Sequence, residues 1–197
     1  MLIKVSDYIS NFLIKNKLKN IYCITGGGSM YLNDSFGNNK SLNVIYTHHE
    51  QSAAMCAEGE SRVTGKPGIV CVTSGPGGTN ALTGVAGAWI DSIPMIVFSG
   101  QVMKKEMINN QQIRQFGVQE INIVDIVKNV TKYSVTIKNS QEIDYYLQKS
   151  LHLATTGRKG PVWLDIPLDI QNATIDTKKL KKFQKIKTKS KKINFKK

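Results

Sequence analysis

Apolar residues recur at helical spacing over Val5, Tyr8, Ile9, Phe12 and Leu13, with polar residues such as Asn11 between them. This predicts a surface helix over 5–13 with one buried face. Ile21-Tyr22-Cys23-Ile24 is a short apolar run stopped by Gly26-Gly27-Gly28, the pattern of a strand entering a tight loop. Val44-Ile45-Tyr46 predicts a second strand. The alanine-rich stretch 51–64 predicts a helix, closed by Gly65-Lys66-Pro67-Gly68. Ile69 to Thr73 forms a third strand pattern, leading through Ser74-Gly75-Pro76-Gly77-Gly78 into a small-residue helix from Thr79 to Trp89. Pro94 to Phe98 is a fourth strand pattern, and the polar, glutamine-rich stretch 100–119 predicts a loop. Two further strands, Val130–Ile137 and Pro161–Ile166, flank a helix over Gln141–Thr155, and beyond Pro167 the periodicity fades.

Short strands rich in Val and Ile, separated by helices, are what a parallel sheet covered on both faces requires. The expected fold is α/β: an open, mainly parallel six-stranded sheet with helices on both faces. Ligands of such sheets bind outside the carboxyl ends of the strands. The loops 25–29, 47–50, 74–79 and 99–102 all follow strands, so function is expected where they gather.

The 197 residues suit one domain with a core, and no apolar run approaches the length of a membrane span. The start lacks a basic segment followed by an apolar one, and Cys23, Cys56 and Cys71 form no Cys-x-x-Cys pair. Buried thiols in a reducing cytoplasm are expected. The net charge of +13 is concentrated at one end: 178–197 holds eleven lysines and no acid, leaving +2 for 1–177. With few arginines and aromatics interleaved, this block reads as a solvated tail rather than a nucleic-acid surface.

Two glycine loops are candidates for ligand contact, although neither completes a dinucleotide fingerprint. The third glycine falls at Tyr31 in one, and Asn80 replaces the last glycine in the other. A plain turn remains an alternative for each. His48-His49-Glu50 does not read as a metal set, because adjacent residues of an extended segment point apart and no third ligand stands at helical spacing; no metal site is expected in this chain. Glu50 opens a helix at the expected ligand edge. Exposed, it would merely favour the helix N-terminus; in apolar surroundings it would be a functional carboxylate.

Several longer motifs follow in order: His49-Glu50-Gln51-x-Ala53-Ala54-x-x-Ala57-Glu58-Gly59, Gly65-Lys66-Pro67-Gly68, Val72 to Asn80, Asp91-x-Ile93-Pro94-Met95 and Ser99-Gly100-Gln101-Val102. Together they resemble the thiamine diphosphate-dependent acetolactate synthase family over residues 1–172, the part corresponding to its pyrimidine-binding domain; 173–197 coincides with a lysine-rich linker or tail. The resemblance implies thiamine diphosphate as cofactor and Glu50 as the catalytic carboxylate that shares a proton with N1′ of the aminopyrimidine. It further implies cofactor contacts from Gly26, Gly27, Gly28, Ser74, Gly75, Pro76, Gly77 and Asn80. Gly28 and Gln119 would face a 2-oxo acid substrate such as pyruvate. A homo-oligomer is implied too, with a contact over 51–64 and 79–89; the small residues Ala53, Ala54, Ala57, Gly84, Ala86, Gly87 and Ala88 serve such a contact and core packing equally well.

This chain also departs from the family pattern. Ile24-Thr25 replaces Tyr-Pro, Gly28 stands for alanine, Val118 for phenylalanine and Glu60 for tyrosine. All but the last border the expected acceptor site, and the chain is similar to synthase-like enzymes that pass an acyl unit to acceptors such as keto sugars. None of the eight aspartates lies between glycines, so the Gly-Asp-Gly segment that holds Mg2+ and the diphosphate is expected on a partner domain or subunit. FAD, where used, would sit on a further domain. A non-catalytic partner-binding or nucleotide-binding α/β module is the alternative from another class.

Overall fold

In the computed structural model, residues 1–108 and 112–184 are described; residues 109–111 of the expected loop and 185–197 of the expected tail lie outside them. The elements in chain order are β1 (Leu2–Lys4), α1 (Val5–Lys15), β2 (Asn20–Cys23), α2 (Met30–Asn38), β3 (Asn43–Tyr46), α3 (Glu50–Thr64), β4 (Gly68–Val72), α4 (Pro76–Asn80), α5 (Leu82–Ile90) and β5 (Met95–Gln101). Then come α6 (Ile123–Val127), β6 (Tyr133–Thr136), α7 (Ile143–Thr155), β7 (Pro161–Pro167), α8 (Leu168–Asn172) and β8 (Thr174–Asp176).

Six strands form one sheet in the order β3-β2-β4-β5-β7-β6, parallel throughout. Alternation along each central strand feeds two cores, because successive side chains point to opposite faces. Ile69, Cys71, Ile96, Phe98, Val162 and Leu164 meet α1, α2, α7 and α8 on one face. Val70, Val72, Met95, Val97 and Trp163 meet α3, α5 and α6 on the other. β4, β5 and β7 are buried along their whole length, which is why 69–72, 95–98 and 161–164 read as apolar runs. Buried Trp163 keeps its indole N–H paired, donating to Ser99 Oγ at 2.8 Å.

Several elements differ from the sequence expectation. Residues 30–38 form α2, which buries Leu32, Ser35 and Phe36 at helical spacing; with two large apolar anchors among polar residues its stripe is thin. The strand expected over 130–137 is shorter, because Val130 ends a 3-10 turn and the Thr131 hydroxyl donates to Val127 O at 2.9 Å. The helix expected over 79–89 is two helices, α4 and α5, joined at Ala81. Beyond Pro167, where no regular element was expected, α8 forms and β8 pairs antiparallel with β1 as a second small sheet. That pairing joins residues too distant in sequence for any local pattern to reveal.

Past residue 176 the chain still packs. Leu180 is buried, Lys182 pairs with Asp144 at 2.8 Å, and Phe183 stacks edge-on against Tyr145. Of the cysteines, Cys23 and Cys71 are buried as expected and desolvation raises both thiol pKa values; Cys56 lies exposed on the outer side of α3, contrary to expectation.

Among the expected interface residues, Ala53, Ala54, Ala57, Gly84 and Ala88 are buried within the chain. They let α3 and α5 approach closely: a Cβ on Gly84 would stand 2.6 Å from Ala54 Cβ. Core packing accounts for these small residues. The outer faces of the two helices instead expose Met55, Val63 and Ile90.

Candidate functional site

The strand order reverses between β2 and β4. From β2 the chain runs outward to β3, then returns to the other side of β2 as β4. At such a switch point the loops leaving two neighbouring strands diverge and open a crevice. Gly26-Gly27-Gly28 leave β2 and Ser74-Gly75-Pro76-Gly77 leave β4, so both glycine loops rim this crevice. A side chain at the base of the second loop holds the first: Gly28 N–H donates to the Thr73 hydroxyl oxygen Oγ1 at 3.0 Å.

Glu50 is the first residue of α3. His49 caps that helix, its Nδ1 accepting from the Gln51 N–H at 3.1 Å, and Thr47 Oγ1 donates to His49 O at 2.9 Å. These local bonds fix the turn from β3 into α3 and aim the Glu50 side chain inward, where it is 9% exposed. Asn80, at the end of α4, donates from Nδ2 to Glu50 Oε2 at 3.0 Å. Oε1 lies toward Gly77, where a Cβ would stand 3.4 Å from it and 2.7 Å from Thr73 Cγ2. A carboxylate this shielded is costly unless its oxygens are satisfied; Asn80 serves Oε2, and Oε1 is turned toward the backbone of Gly77. The acid–base chemistry of this shielded carboxylate matches a nitrogen heterocycle such as an aminopyrimidine.

The remaining expected residues fall into two groups. Gly26, Gly28, Ser74, Gly75, Gly77, Asn80 and Glu50 lie together, with Pro76 exposed at the first position of α4. Gly27 is exposed, and nothing lies within 4 Å of where its Cβ would be. Gln119 is 69 residues from Glu50 in sequence, yet its backbone carbonyl packs on Gly75. Gly75 has φ 61 and Gln119 has φ 56, so both stand at positive φ. Gly75 does so readily; Gln119 needs its surroundings to hold it there.

Sequence reasoning missed residues that build the rim from a distance. Gln171 on α8 is fully buried and donates from Nε2 to Gly28 O and to Ile166 O, each at 2.7 Å. Thr73 and Gln171 thus hold both backbone groups of Gly28. Asp165, near the carboxyl end of β7, is buried and takes hydrogen bonds from Ser99 Oγ at 2.7 Å, Thr136 Oγ1 at 3.0 Å and Gln101 Nε2 at 3.3 Å. Burial raises its pKa to about 6 against the lowering effect of those donors. It forms the floor of a cleft of about 830 Å³ whose wall includes Lys104, Arg114, Glu120 and Lys138. No local motif marks Gln171 or Asp165, because Gln171 reaches Gly28 across 143 residues and the donors to Asp165 are at least 29 residues from it.

The chain resembles known proteins in sequence. It is 38% identical over 169 residues to the acetolactate synthase large subunit of Buchnera aphidicola subsp. Schizaphis graminum, covering 86% of this chain and 28% of that protein. It is 38% identical over 167 residues to acetolactate synthase isozyme 3 large subunit of Escherichia coli, covering 85% and 28%. Against the chloroplastic acetolactate synthase of Arabidopsis thaliana it is 34% identical over 168 residues, covering 85% and 24%. The chain thus spans about a quarter of the length of these curated relatives. Residues 3–136 match the family model of the thiamine pyrophosphate enzyme N-terminal TPP binding domain, and it is to this family that the chain belongs.

Proposed function

We propose that the chain is the pyrimidine-binding half of a thiamine diphosphate-dependent carboligase or decarboxylase, a transferase or lyase acting on pyruvate or a related 2-oxo acid. One observation carries this reading: a shielded Glu50 carboxylate anchored by Asn80 and turned toward the backbone of Gly77, at the sheet's switch point. Bound thiamine diphosphate supplies the electron sink for breaking and making bonds at the keto carbon.

In this reading Glu50 holds a proton at its carboxylate in a hydrogen bond to the aminopyrimidine ring nitrogen. Asn80 orients that carboxylate by occupying Oε2, which leaves Oε1 available to the ring. The backbones at 26–28 and 74–77 border the ring, and Gln119 and Gly28 face the substrate.

Mg2+ and the diphosphate fall to a second domain or subunit. Among the described residues no group of three His, Cys, Asp or Glu gathers as a metal site. FAD, in a complete enzyme that uses it, is held outside this chain as well. The domain is taken to run past residue 172 to the packed segment near Leu180, with the lysine block beyond as linker.

A homo-oligomer would cover Met55, Val63 and Ile90 on α3 and α5. A cytoplasmic location suits the free buried thiols, and among the described residues no helix is long and apolar enough to cross a membrane.

The test is Glu50→Gln in the enzyme assembled with its diphosphate-holding domain. Glutamine keeps the hydrogen bond to Asn80 through its oxygen but cannot exchange a proton, so turnover is expected to fall at least a hundredfold. Turnover within tenfold of wild type refutes the assignment.

A further inference from the structure

Glu120 is a charged residue only 5% exposed, and the chemistry above makes no use of it. Its carboxylate accepts three backbone N–H groups. Ile108 donates to Oε1, while Phe116 and Gly117 donate to Oε2 at 3.2 and 3.1 Å. The Glu120 N–H returns to Gly117 O at 3.2 Å, and Gln115 Nε2 reaches the same oxygen at 2.9 Å. Gly117 is pressed flat on its surroundings: a Cβ there would stand 2.7 Å from Val102 Cγ1 and 2.9 Å from Glu106 O. Charge-assisted bonds to main-chain N–H groups are among the stronger ones a loop can make.

What they hold is a conformation the loop would not choose alone. Phe116 and Val118 stand 64% and 79% exposed, and Gln119 between Val118 and Glu120 is left-handed with its carbonyl seated on Gly75. Hydrophobic burial therefore does not fix this segment, whereas the Glu120 carboxylate does.

We propose that Glu120 is a positioning residue: its carboxylate ties Phe116-Gly117 to Ile108 and so presents Val118 and Gln119 at the crevice, setting which substrate the loop accepts. What the loop faces rests on the function proposed above; the clamp itself does not. Glutamine cannot replace the carboxylate. It offers one accepting oxygen, so either Ile108 or the Phe116–Gly117 pair would meet an NH2 group.

The first experiment is native trypsin digestion of the 197-residue chain and its Glu120→Gln variant, following cleavage after Arg114 by mass spectrometry against cleavage after exposed Lys40 as internal reference. Cleavage tracks the open population of the loop. The variant is expected to be cut after Arg114 at least tenfold faster relative to Lys40, and an unchanged ratio overturns the clamp. Should the variant fail to fold, amide exchange on the wild-type chain decides. Protection of Phe116 and Gly117 at least a hundredfold over a free loop supports the clamp, and exchange at free-loop rates overturns it.

In the assembled enzyme Glu120→Gln raises substrate KM about tenfold with cofactor affinity within twofold; an unchanged KM refutes the positioning role. Retained turnover in Glu50→Gln would refute the functional reading alone, since the digestion result does not depend on it.

Discussion

Gly75→Ala tests how the pyrimidine-side loop and the Gln119 loop are locked together. Two costs coincide at this position. The backbone has φ 61 and ψ −122, a sparsely populated region that an L-residue would occupy at a cost of about 1–3 kcal/mol. The new methyl would also overlap the Gln119 carbonyl oxygen and stand 3.0 Å from Gln119 Cβ. Overpacking against backbone that cannot rotate away adds about 1–3 kcal/mol, so the substitution should destabilise by about 3 kcal/mol.

Gly65→Ala is the reference for a positive φ without overlap. Gly65 has φ 69 at the end of α3, and nothing lies within 4 Å of its Cβ position, so only a backbone cost of about 1 kcal/mol is expected. Urea unfolding at pH 7 gives both values, provided the slope m is unchanged. In thermal unfolding a domain of this size moves by about 2–4 °C per kcal/mol, so Gly75→Ala is expected to melt about 6–12 °C lower and Gly65→Ala about 2–4 °C lower. If Gly75→Ala costs no more than Gly65→Ala, the Gln119 loop does not bear on Gly75, and the coupling between the two sides of the crevice is wrong.

Two further outcomes follow from other parts of the fold. Asp165 has a folded pKa of about 6 against an ordinary 3.8, so the unfolded state loses its proton first and this group lowers stability as pH rises through that window. The stability of wild type minus that of Asp165→Asn should therefore fall by about 2 kcal/mol between pH 4 and 7, and parallel urea profiles would refute it. Leu180→Ala empties a buried site in the first part of the lysine-rich segment and is expected to cost about 2–4 kcal/mol; a change below about 0.5 kcal/mol in urea unfolding would mean that the segment is solvated.

The sequence by itself determined the sheet and its ligand edge. Strands such as 69–72 and 95–98 are apolar on both faces because both faces are covered, and that doubly buried state shows as an unbroken apolar run. Glycines mark the loops because left-handed backbone and close approach exclude other residues, so 26–28 and 74–77 were legible as rim. Glu50 was legible as an acid at the start of a helix following a strand.

The tertiary structure decided how these parts are held. Whether Glu50 was an exposed helix-start acid or a shielded one depended on Asn80 and Gly77, which come from another crossover. The seating of Gln119 on Gly75, the hold of Gln171 on Gly28 across 143 residues, the Glu120 clamp and the β1–β8 pairing are contacts between segments whose own periodicities are independent. Local pattern records what each segment needs from solvent and core. Which polar group meets which is set by chain crossings, and at this crevice those crossings aim the chemistry.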